Sequence, residues 1–584
     1  MASARAGSRR GSSRLTAILL GLAVLSSACA SIPTSSPPRL GRDVRLDTEG
    51  SSARRIGEPP VPGANQENLV RGFLHANADF LDDHAVARQF LDRSVRQDWR
   101  PGAGTTVYDP AAGPFTVRRT GTTTVDVAAT EVARIDATGH YHRSAPGTRL
   151  HRTFQLTKVG TQWRIHKLSG GLVLTTSDVE LAFRQVNLYF LAESGRTLVP
   201  DPVLLPDLPG LSTNLVTSLL HGPVEPLRAA ASTAFPTGTD LRVASVPIRD
   251  GSAVVDLTSE VRRADDEERQ QLSAQLVWTL RQLPGVQTIR VLAEGEDLNV
   301  SGAAGAQHRG EWDQFDPSPL PKDSNAYVVR AGRLGRVINE AFVPLGGVPA
   351  ETPAVRHPAV SLDTTTLAAI SADHRVLEVA QLANAGTVKG SLTPLLQGTN
   401  LSAPSWDANG NVWVVDRPAG RVLVVPRGDN RAVQVSVAGP VTGRISLVRV
   451  SRDGTRVAVI AGSGRSASAL VGVVARDDQG VPVRIEGLTR FYPGLAGVRD
   501  VAWADPTTLA VLGSVGPGAV EAILAGIDGF ITTTLDAKRG LVSVAAAPSA
   551  QPVVAATSGG HLVQWTPGQR WVGLGTGSDP AYPG

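Results

Sequence analysis

The chain of 584 residues contains a single cysteine, so no disulfide can form within it and its domains must be stabilised by hydrophobic cores. It has no HExxH, GxSxG or CxxC motif and no phosphate-binding loop. The sequence therefore contains none of these common signatures of hydrolases, redox enzymes and nucleotide-binding proteins. The net charge of +4 comes from four arginines within residues 1–28; the rest of the chain carries 53 basic and 53 acidic residues. Nucleic acid, which requires a concentrated basic surface, is therefore not an expected partner.

The one cysteine, Cys29, follows a leader that is typical of exported proteins. Arginines come first, an apolar run from Leu15 to Leu25 follows, and small residues precede Cys29. This order indicates a secretory signal, and the run is shorter than the roughly 20 residues of a membrane-spanning helix. A cysteine directly after small residues is the pattern of a bacterial lipoprotein signal. We therefore predict removal of residues 1–28 and acylation of the Cys29 thiol, with palmitate among the expected acyl groups.

Two details of the leader depart from the usual signals. Ser26 stands where a lipoprotein signal usually has leucine, and the pair Arg9 and Arg10 is not followed by apolar residues, so a twin-arginine export signal is weak. The alternative for Cys29 is a buried free thiol, since free cysteine often behaves as a small hydrophobe. Pro33 and the polar residues that follow argue against a packed core at this point.

A chain of this length is expected to hold several domains, and changes in composition divide residues 29–584 into segments. Residues 29–62 are rich in serine, proline, glycine and charge, which predicts a lipidated flexible tether. Residues 63–178 begin with helical spacing of apolar residues and continue with alternating strands such as Thr122–Ile135, an α+β order. The final hairpin of this segment resembles that of small cone-shaped domains similar to nuclear transport factor 2.

The first segment is also rich in histidine, and none of these residues has a spacing that defines a metal site. We predict that they are polar surface residues, with His140 and His142 on one face of a strand. The histidines are His75, His84, His140, His142, His151 and His166.

Residues 179–302 show alternating strand and helix patterns. Leu215–Leu220 forms a helix face that ends at Gly222 and Pro223, and Asp250-Gly251 predicts a hairpin turn between strands at 241–246 and 253–257. Acidic residues at 265–268 mark the first turn of a helix whose apolar stripe runs from Leu272 to Leu283.

This second segment resembles the GerMN domain of germination and sporulation proteins, which implies an interaction module of the cell envelope without known catalysis. Asp256 has no partner acid or base at a readable spacing, so we interpret it as a residue that ends a strand or caps a turn. The matching residues are Tyr189, Phe190, Leu219, Leu220, Gly222, Pro223, Pro236, Gly238, Thr239, Val255–Thr258, Gln275–Val277, Thr279 and Leu280.

After a predicted linker at 303–322, residues 323–584 repeat a unit of strand, polar turn with aspartate, and strand, at steps of about 44 to 52 residues. This period is typical of a β-propeller, and the length holds five to seven blades. Aspartates suit such turns because the side chain can bond the backbone two residues on, so Asp363, Asp407, Asp453 and Asp505 are interpreted as structural.

The order of lipoprotein signal, α+β domain, GerMN-like domain and propeller resembles the LpqB family of actinobacterial lipoproteins. The resemblance implies a protein anchored by its lipid at the extracytoplasmic face of the cell membrane. It also implies a partner, the extracytoplasmic domain of a sensor histidine kinase similar to MtrB of the MtrA–MtrB two-component system. The implied role is modulation of signalling in envelope homeostasis and division. No catalytic residue, cofactor or metal is predicted, and the chain is not expected to be an enzyme.

Two other classes of function stay open from the residues. One is an envelope scaffold or assembly factor that uses the second domain as a packing surface. The other is a propeller-based carbohydrate-binding protein or enzyme, since a fold does not decide a function. A cluster of inward acids or histidines where the blades begin would favour the latter, and the sequence pattern shows none.

Overall fold

A computed structural model of the chain describes residues 55–584 with gaps at 304, 321–323, 349–352, 385, 517, 549–550 and 569. Cys29, the leader and residues 29–54 of the predicted tether lie outside the described residues. The described end of the predicted tether contacts the first domain. There, Arg55 Nε lies 2.9 Å from Asp178 Oδ1, and the Gly57 amide donates to Asp79 Oδ2 at 3.0 Å.

Helices make up a small part of the described residues, and the α-helices among them lie in the first and second domains. The α-helices are α1 (Gln66–Ala76), α2 (Ala85–Arg88), α3 (Arg93–Arg96), α4 (Thr176–Ala182), α5 (Leu211–Leu220) and α6 (Asp266–Leu280). Short 3-10 helices span Pro101–Ala103, Pro110–Ala112, Leu227–Ala229, Ser259–Arg263, Asp313–Phe315 and Gly464–Ser466.

The first domain packs α1 to α3 against one sheet, which confirms the predicted α+β order. The sheet runs in the order β6-β5-β3-β1-β7, with β2 and β4 also paired to β3. The alternation in β3 places Val125 and Val127 in the core, as period-2 patterning requires. The strands are β1 (Thr105–Tyr108), β2 (Thr116–Arg119), β3 (Thr124–Ile135), β4 (Tyr141–Arg143), β5 (Arg149–Val159), β6 (Gln162–Lys167) and β7 (Leu172–Thr175).

The second domain is an α+β unit whose core lies between α6 and two small sheets, ordered β10-β8-β9 and β11-β12-β13-β14, with β15 paired to β13. Asp265 and Glu268 form a capping box at the start of α6, as the acidic first turn predicts. The strands are β8 (Phe183–Ala192), β9 (Leu198–Pro206), β10 (Ala231–Ser232), β11 (Ile248–Arg249), β12 (Ser252–Leu257), β13 (Thr288–Ala293), β14 (Glu296–Asp297) and β15 (Ala306–His308).

The predicted strand at 241–246 is wrong: only Leu241 makes a bridge, to Leu257. The backbone of Val246 is bonded instead by side chains of α5, because Ser212 Oγ donates to its carbonyl at 2.7 Å and Thr213 Oγ1 accepts from its amide at 2.9 Å. These side chains replace the strand partner that the alternating pattern suggested.

Part of the predicted linker packs into the second domain. It contains β15 and Trp312, whose indole is 3 % exposed and donates to Gln307 Oε1 at 2.7 Å. Trp278 of α6 in turn donates to the Trp312 carbonyl at 3.0 Å. Most residues of this segment are small or polar, so its sequence resembles that of a linker. Its packing depends on a few large side chains such as Trp312.

The C-terminal region forms six four-stranded units within the described residues, inside the predicted range of five to seven blades. Innermost strands of neighbouring units contact one another in sequence. The strands are β16 (Tyr327–Arg330), β17 (Arg333–Ile338), β18 (Ala341–Pro344); β19 (Val355–Val360), β20 (Thr366–Ser371), β21 (Val376–Ala383), β22 (Thr387–Gln397); β23 (Ser405–Trp406), β24 (Val412–Asp416), β25 (Arg421–Val425), β26 (Val433–Val437); β27 (Ile445–Val450), β28 (Arg456–Ala461), β29 (Ser468–Arg476), β30 (Pro482–Thr489); β31 (Leu495–Asp505), β32 (Thr508–Val515), β33 (Glu521–Gly526), β34 (Thr532–Thr534); β35 (Leu541–Ala545), β36 (Val553–Thr557), β37 (His561–Trp565), β38 (Val572–Thr576); and β39 (Ser578–Ala581).

Blade 1 is completed from the far end of the chain, because β39 pairs with β16 in the order β18-β17-β16-β39. Blades 2 to 6 are consecutive groups of four strands. Blades 3 and 4 are further joined at their rims, where β26 pairs in parallel with β30. This closure removes the exposed inner edge that an open array would leave.

The repeated turn aspartates act on the local backbone, as expected. Each accepts a hydrogen bond from the amide two residues later, at 2.8 to 3.1 Å. The donors and acceptors are Thr365 to Asp363, Asn409 to Asp407, Thr455 to Asp453 and Thr507 to Asp505.

Candidate functional site

The predicted lipidation site, Cys29, is outside the described residues. Within residues 55–584, apart from the gaps, no group of three or more histidine, cysteine or acidic side chains is arranged to hold a metal ion. No helix of the described chain is long and apolar enough to cross a membrane. The candidate sites are therefore the places where charged side chains and cavities converge.

Asp256 lies in β12 and is occupied by structural contacts. Its carboxylate accepts from Arg242 Nε at 2.6 Å and from the Gly295 amide at 2.9 Å. Burial acts to raise its pKa, but these bonds outweigh burial and lower the pKa. The residue joins a strand end to the turn between β13 and β14.

The prediction that the histidines are surface residues is wrong for two of them. The His84 side chain is buried against Phe80 and Trp99, and burial lowers its pKa. His140 lies between domains, with a side chain that is 18 % exposed. The burial of these two rings could not be predicted from the sequence pattern, because tertiary contacts cover them.

The second domain's Asp201, in β9, meets charged side chains from both neighbouring domains. His140 Nε2 of the first domain lies 3.0 Å from Asp201 Oδ2, and Arg456 Nη2 of β28 lies 3.7 Å from Asp201 Oδ1. Asp136 provides a second carboxylate 3.8 Å from His140 Nδ1. Burial acts to lower the pKa of His140, but the nearby carboxylates of Asp136 and Asp201 raise it to about 10, so the ring is charged at neutral pH. We call these four residues the junction cluster.

Hydrophobic contacts interlock the domains around the junction cluster. Leu204 of β9 belongs to the core of the first domain, and Val473 of β29 belongs to the core of the second. Gly487 in β30 adopts φ +61°, and a Cβ built there would lie 2.3 Å from Pro226 Cβ, so only glycine allows this approach. The three domains thus share cores and belong to one compact unit.

The first domain also contacts the propeller directly. The Arg143 guanidinium lies 4.3 Å from the centre of the Tyr492 ring and donates to the Gly529 carbonyl at 2.9 Å. Tyr141 packs edge-on against Phe530, with ring centres 5.1 Å apart. Each domain therefore contacts both others.

A second group of titratable side chains, buried or partly buried, lines the central channel of the propeller around a cavity of about 60 Å³. His357 Nδ1 lies 2.9 Å from Asp579 Oδ1, and Arg449 Nη2 lies 3.8 Å from Asp500 Oδ1. Each pair joins neighbouring blades. Asp500 also accepts hydrogen bonds from the amides of Val501 and Val544, so its carboxyl group has partners within the channel.

Arg452 fills the channel beside these pairs. It donates to the carbonyls of Pro583, Trp503 and Ala546 at 3.0, 3.0 and 3.1 Å. Burial lowers its pKa to about 10, which leaves it charged at neutral pH. One side chain from blade 4 thereby bonds blades 5 and 6 and the end of the chain. We call His357, Arg449, Arg452, Asp500 and Asp579 the channel cluster.

The expectation that no inward acids or histidines cluster where the blades begin is wrong, because His357, Asp500 and Asp579 lie in β19, β31 and β39, the innermost strands of their blades. A signal exists in hindsight, since Arg449 and Asp500 immediately precede the repeated Val450 and Val501 and lie one blade apart. The lone residues carry no pattern by themselves, because their pairing depends on closure of the ring.

Comparison with family models assigns all three domains. Residues 59–180 match the N-terminal domain of lipoprotein LpqB, residues 187–299 match a sporulation and spore germination domain, and residues 332–583 match the β-propeller domain of lipoprotein LpqB. The chain is thus a multi-domain protein with an α+β domain, a GerMN-like domain and a propeller.

Full-length relatives agree. Lipoprotein LpqB of Thermobifida fusca is 32 % identical over 96 % of this chain and 97 % of its own length. Lipoprotein LpqB of Streptomyces coelicolor is 30 % identical, over 99 % of both chains. The chain belongs to the LpqB lipoprotein family, which is not named for an enzymatic activity.

Among solved structures, the first GerMN domain of the sporulation protein GerM from Bacillus subtilis is similar to part of the chain. It is 20 % identical, covers 22 % of this chain and 98 % of that domain, and has a TM-score of 0.19.

Proposed function

We propose that this lipoprotein is anchored through acylated Cys29 at the extracytoplasmic face of the membrane and binds the sensor domain of a histidine kinase similar to MtrB. In this role it modulates two-component signalling in envelope homeostasis and division and has no catalytic activity of its own. Family membership and the signal pattern before Cys29 support the anchor, and the family resemblance supports the partner.

The observation that carries the proposal is the interlocking of three domains around the junction cluster. Rigid surfaces lose less entropy on binding than flexible segments do. A body held by one lipid and a tether also has a high effective concentration for other proteins of the same membrane. The surfaces of the propeller and of the second domain are therefore the proposed contacts, and the tether is not.

The anchor is tested by Cys29→Ser, which removes the one thiol available for acylation. Without acyl chains the protein has only weak contacts with a bilayer, so it should leave the membrane fraction in a high-salt wash. Ser27→Ala, with the thiol retained, is the matched control and should stay with the membrane. Retention of the Cys29→Ser protein would contradict the anchor.

The partner is tested by surface plasmon resonance between the full lipoprotein in detergent and the kinase sensor domain. We expect saturable binding, together with altered phosphorylation of the response regulator in a deletion strain. Absence of both effects would reject the kinase as partner and leave the scaffold function. Binding without any change in phosphorylation would reject the modulating role.

A further inference from the structure

A cavity of about 270 Å³ lies between the second domain and blade 5, and it is several times larger than the channel cavity. One wall consists of β8 and β9, with Gln185, Val186, Asn187 and Pro202. The other wall consists of blade 5, with Leu524, Ile531 and threonines at 507, 508 and 533 among its residues. Because each domain provides one wall, the cavity exists only when the domains are docked.

Hydrogen bonds outside the cavity hold both walls in place. Gln185 Nε2 donates to Asp528 Oδ2 at 2.7 Å, which joins the two walls across the interface. The Asn187 backbone is bonded at both its amide and its carbonyl by the Gln282 side chain, at 2.8 and 2.7 Å. Thr507 donates to Asp505 through its amide and its hydroxyl. The cavity is therefore preformed, which lowers the entropic cost of binding.

The lining is neutral and mixed in polarity. No charged side chain is among the described residues that line it, and amides and hydroxyls alternate with Val186, Leu524 and Ile531. The hydroxyls of Thr508 and Thr533 make no hydrogen bond within the described part of the chain. Ile531 is 56 % exposed, so apolar surface lies open beside these hydroxyls. Unused hydroxyls beside exposed apolar surface suit a ligand that has both hydroxyl groups and an apolar face.

From this geometry we infer that the cavity binds a neutral saccharide unit. The volume is slightly below the 300 Å³ or more of typical ligand sites, so a single sugar ring is the fitting size. Ligand sites occur preferentially at domain interfaces. An anionic ligand is disfavoured because no cation lines the cavity and the Asp528 carboxylate lies behind Gln185. This inference does not rest on the kinase partner.

The test is saturation-transfer NMR on the full lipoprotein in a detergent without sugar headgroups, with N-acetylglucosamine and glucose as probes. We expect transfer to at least one probe, with a Kd of about 1 mM, and none to glucose 6-phosphate. The variant Thr508→Val/Thr533→Val should bind about thirtyfold more weakly, since two hydrogen bonds of about 1 kcal/mol each are lost and about 1.4 kcal/mol is tenfold in affinity. Thr534→Val, the neighbour on the same strand that does not line the cavity, is the matched control.

Absence of transfer to both neutral sugars, equal transfer in wild type and the double variant, or preferential binding of glucose 6-phosphate would each overturn the inference. Thermal unfolding checks that the variants fold. If the double variant does not fold, Ile531→Ser replaces it, because this exposed side chain can change without disturbing a core and should also weaken binding.

Discussion

The junction cluster and the channel cluster are both groups of paired titratable side chains, but their members come from different places in the chain. His140, Asp201 and Arg456 belong to three separate domains, whereas the members of the channel cluster all belong to one propeller. Arg452 also bonds backbone carbonyls, which cannot move without opening the ring. Loss of a side chain of the channel cluster should therefore unfold a domain, while loss of a side chain of the junction cluster should undock domains that remain folded.

The largest effect is expected for Arg452→Met. Three buried carbonyls would lose their donor, at about 4 kcal/mol in total, so the propeller should unfold roughly 10 °C lower. Arg431→Met, at an exposed arginine of blade 3, is the control and should unfold with the wild type. Differential scanning calorimetry measures both, and equal unfolding temperatures would show that the channel bonds do not hold the ring.

Gly487→Ala should act on the interface between the second domain and blade 4. The added Cβ meets Pro226, and the left-handed backbone is costly for alanine, which together cost about 2 kcal/mol. Hydrogen exchange of residues 224–230 should increase while the propeller core stays protected. Gly428→Ala has a similar φ of +78° and no atom within 4 Å of the new Cβ, so it should lower stability without changing this exchange. Equal exchange in both variants would refute a specific contact.

Asp201→Asn should reduce the pH dependence of domain docking. In wild type the folded pKa of His140, about 10, is above its ordinary value of 6.5. The stabilisation is therefore complete below pH 6.5 and is lost as pH rises towards 10. Asp136 and Asp528 also carry charge near this ring and stay in the variant, and His142 contacts Asp136 on its other carboxylate oxygen.

The Asp201→Asn variant should lose about 1.5 kcal/mol at pH 7, and its His140 should titrate at lower pH in NMR spectra. Asp207→Asn removes an ion pair with Arg184 inside the second domain and is the control. If His140 titrates alike in both variants, Asp201 is not the group that raises its pKa.

The smallest effect is expected for Arg290→Ala. Arg290 forms two bonds with Asp297, at 2.6 and 2.8 Å, but both side chains are about half exposed, and water competes for such pairs. Its unfolding temperature should equal that of wild type by calorimetry. A clear loss would mean that a half-exposed pair with good geometry stabilises this protein as the two clusters are expected to do.

Much of the fold could be predicted because its signals are local. The capping box at Asp265 and Glu268 and the turn at Asp250 and Gly251 depend only on residues a few positions apart. The Asx turns of the blades are equally local, since each aspartate bonds an amide two residues away. Such features can be read from one sequence because their free energy does not depend on distant partners.

Tertiary structure decided the features whose partners are far apart in the chain. The pairing of β39 with β16 completes blade 1 across roughly 250 residues, and no local pattern marks it. His140 and Asp201 meet 61 positions apart, and Gln185 meets Asp528 343 positions apart. The order of domains and the turns within them could be predicted from the sequence, because these follow from periodicity and local bonding. The junction cluster, the channel cluster and the interdomain cavity could not be predicted in this way, because burial and charge pairing act between residues that are neighbours in space alone.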